Sequence, residues 1–333
     1  MFMKKIFIFV FSAVVLCSFA APKPQQDAEL FEAKEKNMKR FANVLPPNVK
    51  TIACIAPGSY PGTKHHKLGV ELLRQAGYKV KVMPHTFVRQ KDKAQAPLEG
   101  RLADFYAAWN DPEVDMIFCV RGGVGSEELL DNIDWSKLKK RPELYFQGYS
   151  DITLINCALV AKNYGHPITG PMAGSLSGLP RSGIEAMRKI YHNKTLGPVK
   201  LEVLKKGDFQ GKAFAGLLQR FAIATTKYYR PDNRGKVIFI ECVNLSAAKV
   251  RENLETLYNA KFFDGAAGVV FCKFARCKPA NEVQSIIREF AAKLNIPSAI
   301  GFPYGHVALN YCIDYQRTAI VKDGTVTFPA LKK

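Results

Sequence analysis

Three separated segments carry the side chains that a serine hydrolase needs. Ser126 follows the glycine-rich turn at 121–125, Glu241 ends an apolar run, and His306 closes the Gly/Pro-bounded loop that starts at Gly301. A serine hydroxyl, a histidine base and a carboxylate that orients the histidine form a nucleophilic triad, whatever their order along the chain. The three residue types are therefore consistent with acyl transfer, provided that the fold brings them together.

Each of the three residues also has a simpler interpretation. Ser126 is placed to act as a helix N-cap, and the glycines before it to form a tight turn. The turn could also bind phosphate, but it lacks both the G-x-G-x-x-G pattern and a P-loop lysine. Glu241 is consistent with an exposed strand end, and His306 with an ordinary loop histidine. These alternatives remain open from the residues alone.

Apolar strands alternate with helical segments around these residues. In the first half, runs at 51–56, 78–83, 114–120 and 144–147 predict strands, with helices between them. Buried strands separated by helices indicate a parallel sheet covered on both faces. The second half mixes strands and helices, and Asp323-Gly324 predicts a hairpin near its β-rich end. We therefore predict an α/β fold with two domains.

The signal-like N-terminal residues and a change in composition near the middle of the chain suggest where the domains begin and end. Residues 1–20 combine Lys4 and Lys5, an apolar run at 6–16 and small residues before position 21, which predicts a secretory signal peptide. Cys17 leaves a lipid anchor as an alternative. We expect a linker and a short exposed helix at 21–49, a nucleophile-bearing domain at 50–180, a linker at 181–200 and a second domain at 201–333. No later segment is long and apolar enough to span a membrane.

The charge bears on the possible binding partners of the protein, and the cysteines bear on metal binding. The 333 residues carry 48 basic and 29 acidic side chains, a net charge of +19. This excess suggests either a polyanionic partner, such as nucleic acid, acidic lipid or acidic cell-wall polymer, or simply a solvated basic surface. The seven cysteines after Cys17 lie mostly in apolar runs, where cysteine usually acts as a small buried hydrophobe. No metal site is expected.

The chain resembles the LD-carboxypeptidase family of serine peptidases, which includes microcin-immunity peptidases. The resemblance covers roughly residues 50–320. It rests on six ordered motifs: Ile55-Ala56-Pro57, Arg121-Gly-Gly-Val-Gly-Ser126, Gly148-Tyr149-Ser150-Asp151, Gly170-Pro171-Met172, Ile240-Glu241-Cys-Val-Asn244 and Gly301-Phe-Pro-Tyr-Gly-His306. It implies a flavodoxin-like N-terminal domain with the nucleophile, a mixed α/β C-terminal domain with the acid and base, and a site between them, often in a homodimer.

The resemblance also implies roles for particular residues. Ser126 matches the nucleophile, Glu241 the acid and His306 the base. We expect the backbone N–H groups of Gly123 and Glu127 to form the oxyanion hole. We expect Arg121 and Gly122 to contact substrate, with Arg121 pairing with a carboxylate or making a structural salt bridge instead.

The implied reaction removes a terminal D-alanine from a peptidoglycan stem peptide at an L–D bond, outside the cytoplasmic membrane. It requires no metal and no organic cofactor.

One departure from the family pattern bears on specificity. The family usually has Gly-Gly-Asn-Leu-Ser before the acid-bearing strand, where this chain has Ala215-Gly-Leu-Leu-Gln219. Leu217 and Gln219 therefore replace an amide and a hydroxyl, so a polar substrate contact is missing or supplied elsewhere. Two other classes stay open: a serine amidase acting on another modified peptide, and a non-catalytic protein that binds wall peptides. Export argues against nucleic acid as the partner.

Overall fold

A computed structural model describes residues 39–227 and 229–332. The expected signal peptide at 1–20, with Cys17, lies outside the described residues, and so does most of the segment expected to form a linker and short helix. Within the described residues, no helix has the length and apolar character needed to cross a membrane.

The first half of the chain forms a parallel sheet. Its strands are β1 (Thr51–Ile55), β2 (Lys79–Val82), β3 (Met116–Cys119), β4 (Tyr145–Gln147) and β5 (His166–Thr169). They lie in the order β2-β1-β3-β4-β5 with parallel pairing throughout. This is the flavodoxin-like order, in which ligands bind beyond the carboxyl ends of the strands. The predicted fold of this half is confirmed.

Helices connect and cover these strands. They are α1 (Lys64–Gln75), α2 (Leu98–Asn110), α3 (Ser126–Asp131), α4 (Thr153–Lys162) and α5 (Arg181–Tyr191). β1, β3 and most of β4 are buried, as expected for central strands with both faces covered. α3 and α4 start just beyond the ends of β3 and β4, so the loops before them lie at one edge of the sheet.

The second half forms an eight-stranded mixed sheet. Its strands are β6 (Leu196–Lys200), β7 (Glu202–Lys205), β8 (Phe209–Leu217), β9 (Lys236–Val243), β10 (Gly268–Ala275), β11 (Ser298–Ile300), β13 (Thr318–Lys322) and β14 (Thr325–Phe328). The order is β6-β14-β13-β8-β9-β10-β11-β7, and only the central four, β8 to β11, are mutually parallel. The three helices that follow β8, β9 and β10 are α6 (Leu218–Thr226), α7 (Ala247–Asn259) and α8 (Ala280–Lys293).

The two halves share one buried core, and the second half adds a strand to the first sheet. The two-residue strand β12 (Ile313–Asp314) follows the loop that carries His306, and it pairs antiparallel with β5 at the edge of the first sheet. The hydroxyls of Thr169 and Tyr304 also lie 2.7 Å apart. These contacts fix the His306 loop against the first half of the molecule.

Two segments differ from expectation. Residues 181–200, expected as a linker, form α5 and β6, because Ile184, Met187 and Ile190 recur at helical spacing and are buried. At the start of the described chain, Phe41 and Leu45 are buried in the core rather than lying in an exposed helix. The packed chain therefore begins earlier than residue 50, and it continues through the expected boundary.

Candidate active site

Glu241 and His306 form a buried acid–histidine pair. Glu241 lies near the end of β9 and its side chain is fully buried, and its Oε2 is 2.9 Å from Nδ1 of His306. Burial raises the pKa of Glu241, and the hydrogen bond from His306 partly offsets this effect. A carboxylate in this position selects the tautomer with the proton on Nδ1, which leaves Nε2 as the basic nitrogen.

The hydroxyl next to that basic nitrogen belongs to Ser150. Its Oγ lies 3.0 Å from Nε2 of His306. Ser150 stands three residues after β4, at the start of the short 3-10 turn that leads into α4, and its φ is +63°. A positive φ in a non-glycine residue is uncommon and costs energy, and such strain clusters at functional positions. The strand–turn–helix setting is that of a nucleophile elbow.

Ser126 does not meet His306 in this structure. It is fully buried at the start of α3, where its Oγ donates to Oδ2 of Asp151 at 2.7 Å and its backbone N–H donates to the same oxygen at 2.9 Å. The expected pairing of Ser126 with His306 is therefore replaced by pairing of Ser150 with His306. Ser126 instead hydrogen-bonds to Asp151, the residue that directly follows Ser150.

Arg220 secures Asp151 from the second half of the molecule. Its Nε lies 2.7 Å from Oδ1 of Asp151, whose side chain is buried, and its Nη2 donates to the carbonyl oxygen of Gly123 at 3.4 Å. In the sequence Asp151 stood out only as part of the motif Gly148-Tyr149-Ser150-Asp151, and no pattern selected Arg220. Together, Ser126 and Arg220 fix the turn that carries Ser150 from two directions.

The glycine-rich turn passes directly beside Ser150. A Cβ placed on Gly122 would lie 3.0 Å from Cβ of Ser150 and 3.2 Å from the backbone nitrogen of Asp151, so a larger residue here would press on the Ser150 turn. The carbonyl of Gly122 accepts from the backbone N–H of Ser59 at 2.7 Å. Because C=O and N–H of a trans peptide point in opposite directions, the N–H of Gly123 points away from Ser59.

The other residues predicted for this turn have structural partners. Nη1 of Arg121 donates to the carbonyl oxygen of Tyr60 at 2.6 Å. Oε1 of Glu127, in the first turn of α3, lies 3.5 Å from Nζ of Lys227. Neither contact involves Ser150 or His306.

A cleft of about 520 Å³ opens beside His306. The ring of Tyr149 packs against the imidazole with 5.1 Å between ring centroids, and burial raises the pKa of Tyr149 to about 12. The cleft is lined from both halves of the chain, by Thr63, His65, His66, Tyr149, Pro171, Gly174, Ser175, Ser177, Gly178, Leu179, Arg276, His306, Val307, Ala308 and Asn310. His306, whose Nε2 contacts Ser150, therefore borders an open cleft.

The altered segment 215–219 lies behind the acid. Leu217 pairs with Glu241 between β8 and β9, and the side-chain amide of Gln219 donates to the carbonyl oxygen of Val243 at 3.1 Å. Gln219 thus braces the end of β9 in this structure.

The seven cysteines among the described residues are buried and free, which confirms their expected role as small hydrophobes.

Comparison with known proteins identifies the family. The models of the LD-carboxypeptidase N-terminal and C-terminal domains match residues 52–168 and 210–321. The chain belongs to the LD-carboxypeptidase family of serine peptidases. It is accordingly a hydrolase of the serine carboxypeptidase type.

Bacterial relatives in this family are named for murein peptides. The probable murein peptide carboxypeptidase of Bacillus subtilis is 25% identical over 312 residues, which cover 85% of this chain and 94% of that protein. The murein tetrapeptide carboxypeptidase of Pseudomonas aeruginosa is 25% identical over 287 residues, which cover 81% and 92%. Both relatives therefore match this LD-carboxypeptidase family member over nearly their whole length.

Solved structures share the fold. The muramoyltetrapeptide carboxypeptidase of Oxalobacter formigenes superposes with a TM-score of 0.74 at 21% identity, covering 85% of this chain and all of that one. The microcin-immunity protein MccF, in complex with glutamyl sulfamoyl guanosine, superposes with a TM-score of 0.75 at 19% identity, covering 86% and 98%. The fold expected for an LD-carboxypeptidase is thus confirmed in both halves of the chain.

Proposed function

We propose that this enzyme removes the terminal D-alanine from peptidoglycan tetrapeptides by cleaving an L–D peptide bond through an acyl-enzyme. The observation that carries this proposal is the continuous chain of contacts Glu241–His306–Ser150 at the edge of a peptide-sized cleft. Relatives named for murein peptides support the substrate class.

Ser150 is the nucleophile in this proposal, in place of Ser126. A nucleophile must lie within hydrogen-bond reach of its base, and Ser150 meets this condition while Ser126 is bonded to Asp151. His306 accepts the Ser150 proton at Nε2 as Oγ attacks the scissile carbonyl carbon. Glu241 holds the imidazole tautomer and stabilises the imidazolium that forms.

The rest of the reaction uses the same three side chains. When the tetrahedral intermediate collapses, the C–N bond breaks and His306 gives its proton to the departing amine of D-alanine. The acyl group then remains on Oγ of Ser150 as an ester. His306 next takes a proton from water as the water oxygen attacks the ester carbon. When the C–Oγ bond breaks, His306 returns this proton to Oγ of Ser150 and the shortened peptide leaves as a carboxylic acid.

We infer that two backbone N–H groups stabilise the oxyanion. The N–H of the residue after the nucleophile usually contributes in a strand–nucleophile–helix turn, and here that residue is Asp151. The second donor is the N–H of Gly123, since its peptide unit borders Ser150 through Gly122. Asp151 thus replaces Glu127 in the expected pair. One such donor typically lowers the barrier by about 2.7–4 kcal/mol.

The cellular setting completes the proposal. We place the enzyme outside the cytoplasmic membrane, in the periplasm or cell envelope, as a homodimer, following the signal-like residues 1–20 and the family resemblance. The net charge, +19 for the full sequence and +17 without residues 1–20, supports this location, because a basic enzyme is attracted to wall peptides that carry several carboxylates. This attraction weakens as salt increases.

Mass spectrometry of a disaccharide tetrapeptide ending in D-alanine tests the proposal. The purified enzyme should release D-alanine, Ser150→Ala should release essentially none, and the matched control Ser126→Ala should stay within about tenfold of the wild type. A fluorophosphonate should label the peptide containing Ser150. Release by Ser150→Ala at the wild-type rate would overturn the assignment of the nucleophile.

Substrate outcomes separate the alternatives. Labelling of Ser150 without release of D-alanine would indicate a serine amidase with another peptide substrate. Binding of the tetrapeptide with neither labelling nor release would indicate a non-catalytic wall-peptide-binding protein.

A further inference from the structure

Arg276 is a cationic side chain in the cleft that the reaction does not use. It follows β10, its side chain is exposed, and it lines the same cavity as His306 and Tyr149. It lies close enough to the catalytic centre that its charge lowers the pKa of both Glu241 and Tyr149, against the larger effect of burial. An exposed arginine so near the reacting groups has a direct path to a bound peptide.

The guanidinium is held in place by a neighbouring loop. Nε of Arg276 donates to Oδ1 of Asn244 at 2.8 Å, and the backbone N–H of Asn244 donates to the carbonyl oxygen of Ala275 at 3.1 Å. Both Arg276 and Asn244 have left-handed backbones, with φ of +54° and +56°. Two strained residues that lock one another hold the side chain at a fixed position.

The bond to Asn244 uses one edge of the guanidinium. In the part of the chain that the structure describes, Nη1 and Nη2 of Arg276 have no recorded hydrogen bond or ion pair. Arginine offers these nitrogens as a planar fork that matches the two oxygens of a carboxylate. A braced, outward-facing fork is therefore suited to an anionic group on the ligand.

The charges lining the cleft favour an anion as well. Among the described residues that line it, Arg276 carries a positive charge and none has a carboxylate side chain. The nearby Glu241 is buried and already engaged by His306. An anionic group entering the cleft thus meets positive or neutral groups alone.

A carboxypeptidase cleaves the peptide bond that lies one residue before the terminal carboxylate of its substrate. That carboxylate must therefore sit within one amino-acid length of the nucleophile, in the cleft that His306 borders. Arg121 was expected to pair with a carboxylate, but it donates to Tyr60 and does not line this cleft. We propose that Arg276, braced by Asn244, binds the C-terminal carboxylate of the peptide and so determines the specificity of the enzyme for free chain ends. This inference rests on the proposed function.

Assays that combine each variant with each substrate, here called the variant–substrate cross, test the inference. Arg276→Gln should lower kcat/KM for the tetrapeptide by about 10- to 100-fold, mainly through a higher KM, as expected for loss of a charge-assisted hydrogen-bonded pair. Lys278→Gln, two residues away in the same exposed loop, should leave it unchanged. On a tetrapeptide ending in D-alaninamide, the wild type should fall to the level of Arg276→Gln.

Two results of this cross would overturn the inference. If Arg276→Gln weakened the acid and the amide substrates by the same factor, Arg276 would not recognise the terminal carboxylate. If the wild-type advantage over Arg276→Gln survived C-terminal amidation and vanished on amidation of another carboxylate of the stem peptide, Arg276 would bind that other group.

A binding measurement keeps the test independent of turnover. Isothermal titration of Ser150→Ala with the tetrapeptide acid should give a dissociation constant about 10- to 100-fold lower than with its terminal amide, and Ser150→Ala/Arg276→Gln should abolish the difference. Failure of the wild type to release D-alanine would count against the proposed function alone. Equal affinity of Ser150→Ala for acid and amide would count against the role of Arg276.

Discussion

Nε2 of His306 and Oγ of Ser150 lie 3.0 Å apart, although the residues are 156 positions apart in the sequence. Ser150 lies on the turn after β4, a strand of the first sheet, and His306 lies on the loop after β11, a strand of the second sheet. Neither half alone contains both the proposed nucleophile and its proposed base. Catalysis therefore depends on contacts that hold the halves together, such as that between Arg220 and Asp151.

The first prediction concerns the acid. Glu241→Gln should lower kcat by about 10⁴-fold, because an amide does not hold the imidazole in the required tautomer. Steady-state release of D-alanine measures this change. A variant with more than a tenth of the wild-type kcat would show that Glu241 does not orient His306.

The same variant has a predicted effect on stability with the opposite sign. Burial raises the pKa of Glu241 above its ordinary value of 4.5, so the folded state binds this proton more tightly than the unfolded state. The resulting stabilisation is present below pH 4.5 and is lost as the pH rises through the folded-state pKa. Because glutamine does not titrate, the Glu241→Gln variant does not lose stability in this way as the pH rises. Urea unfolding should therefore show that its stability relative to the wild type increases between pH 4 and pH 7.

The second prediction concerns Gly305, which has a φ of +123°. A Cβ at this position would lie 2.8 Å from both Cβ and Oε2 of Glu241, the atom that contacts His306. Gly305→Ala should displace the carboxylate and lower kcat by at least about 100-fold, as misplacement by about 1 Å can.

A second glycine controls for backbone strain. Gly235 has a φ of +68° with open space around it, so Gly235→Ala carries strain without a clash at the site. Gly235→Ala should keep wild-type kcat, and thermal unfolding should show that both variants fold. Equal kcat values for the two variants would contradict the proposed clash.

The choice between two serines shows where sequence reasoning reaches its limit. Ser126 and Ser150 follow the adjacent parallel strands β3 and β4, so their loops lie at the same edge of the sheet. The glycine-rich turn drew attention to Ser126, yet its Gly122 packs against Ser150 and its Gly123 against Ser59. The strand–turn–helix position of Gly148-Tyr149-Ser150 was the signal that could have selected the nucleophile.

The Glu241–His306 pair and the fold were easier to predict. Glu241 and His306 each end a distinct local pattern, and the alternation of apolar strands and helices fixes the parallel sheet. Arg220 and Arg276 could not be selected, because an arginine on a helix surface or in a loop has no pattern of its own. Their roles come from long-range packing, which places Arg220 on Asp151 and Arg276 in the cleft.

The third prediction concerns the ion pair between Arg220 and Asp151. The side chain of Asp151 is 1% exposed, so Arg220→Gln leaves a buried carboxylate without its cation. Removing one partner of a buried pair typically costs about 3–5 kcal/mol, and we expect a loss near the lower value because Arg220 is 17% exposed. Urea unfolding at pH 7 measures the loss.

A double variant controls for the charge. Asp151→Asn/Arg220→Gln should recover part of the lost stability, because neither buried charge then remains. If the double variant were as unstable as the sum of the two single variants, the ion pair would not be the cause.

The last prediction concerns the pH dependence of stability at His66. Nδ1 of His66 lies 3.2 Å from the backbone nitrogen of Thr63, which donates to it, and 2.6 Å from the Thr63 hydroxyl, closing a capping box at the start of α1. Burial, followed by the positive charges of Arg121 and His65, lowers the pKa of His66 to about 4. Protonation would also convert the Nδ1 acceptor into a donor and break the box.

The sign of the effect follows from proton binding. Between pH 6.5 and pH 4 the unfolded chain holds more protons on residue 66 than the folded chain does, so stability falls as the pH falls through this window. His66→Gln keeps a capping-box side chain that does not titrate. Urea unfolding at pH 7.5, 5.5 and 4.5 should therefore show the wild type losing more stability than His66→Gln. Parallel losses in the two proteins would mean that His66 is protonated equally in the folded and unfolded states.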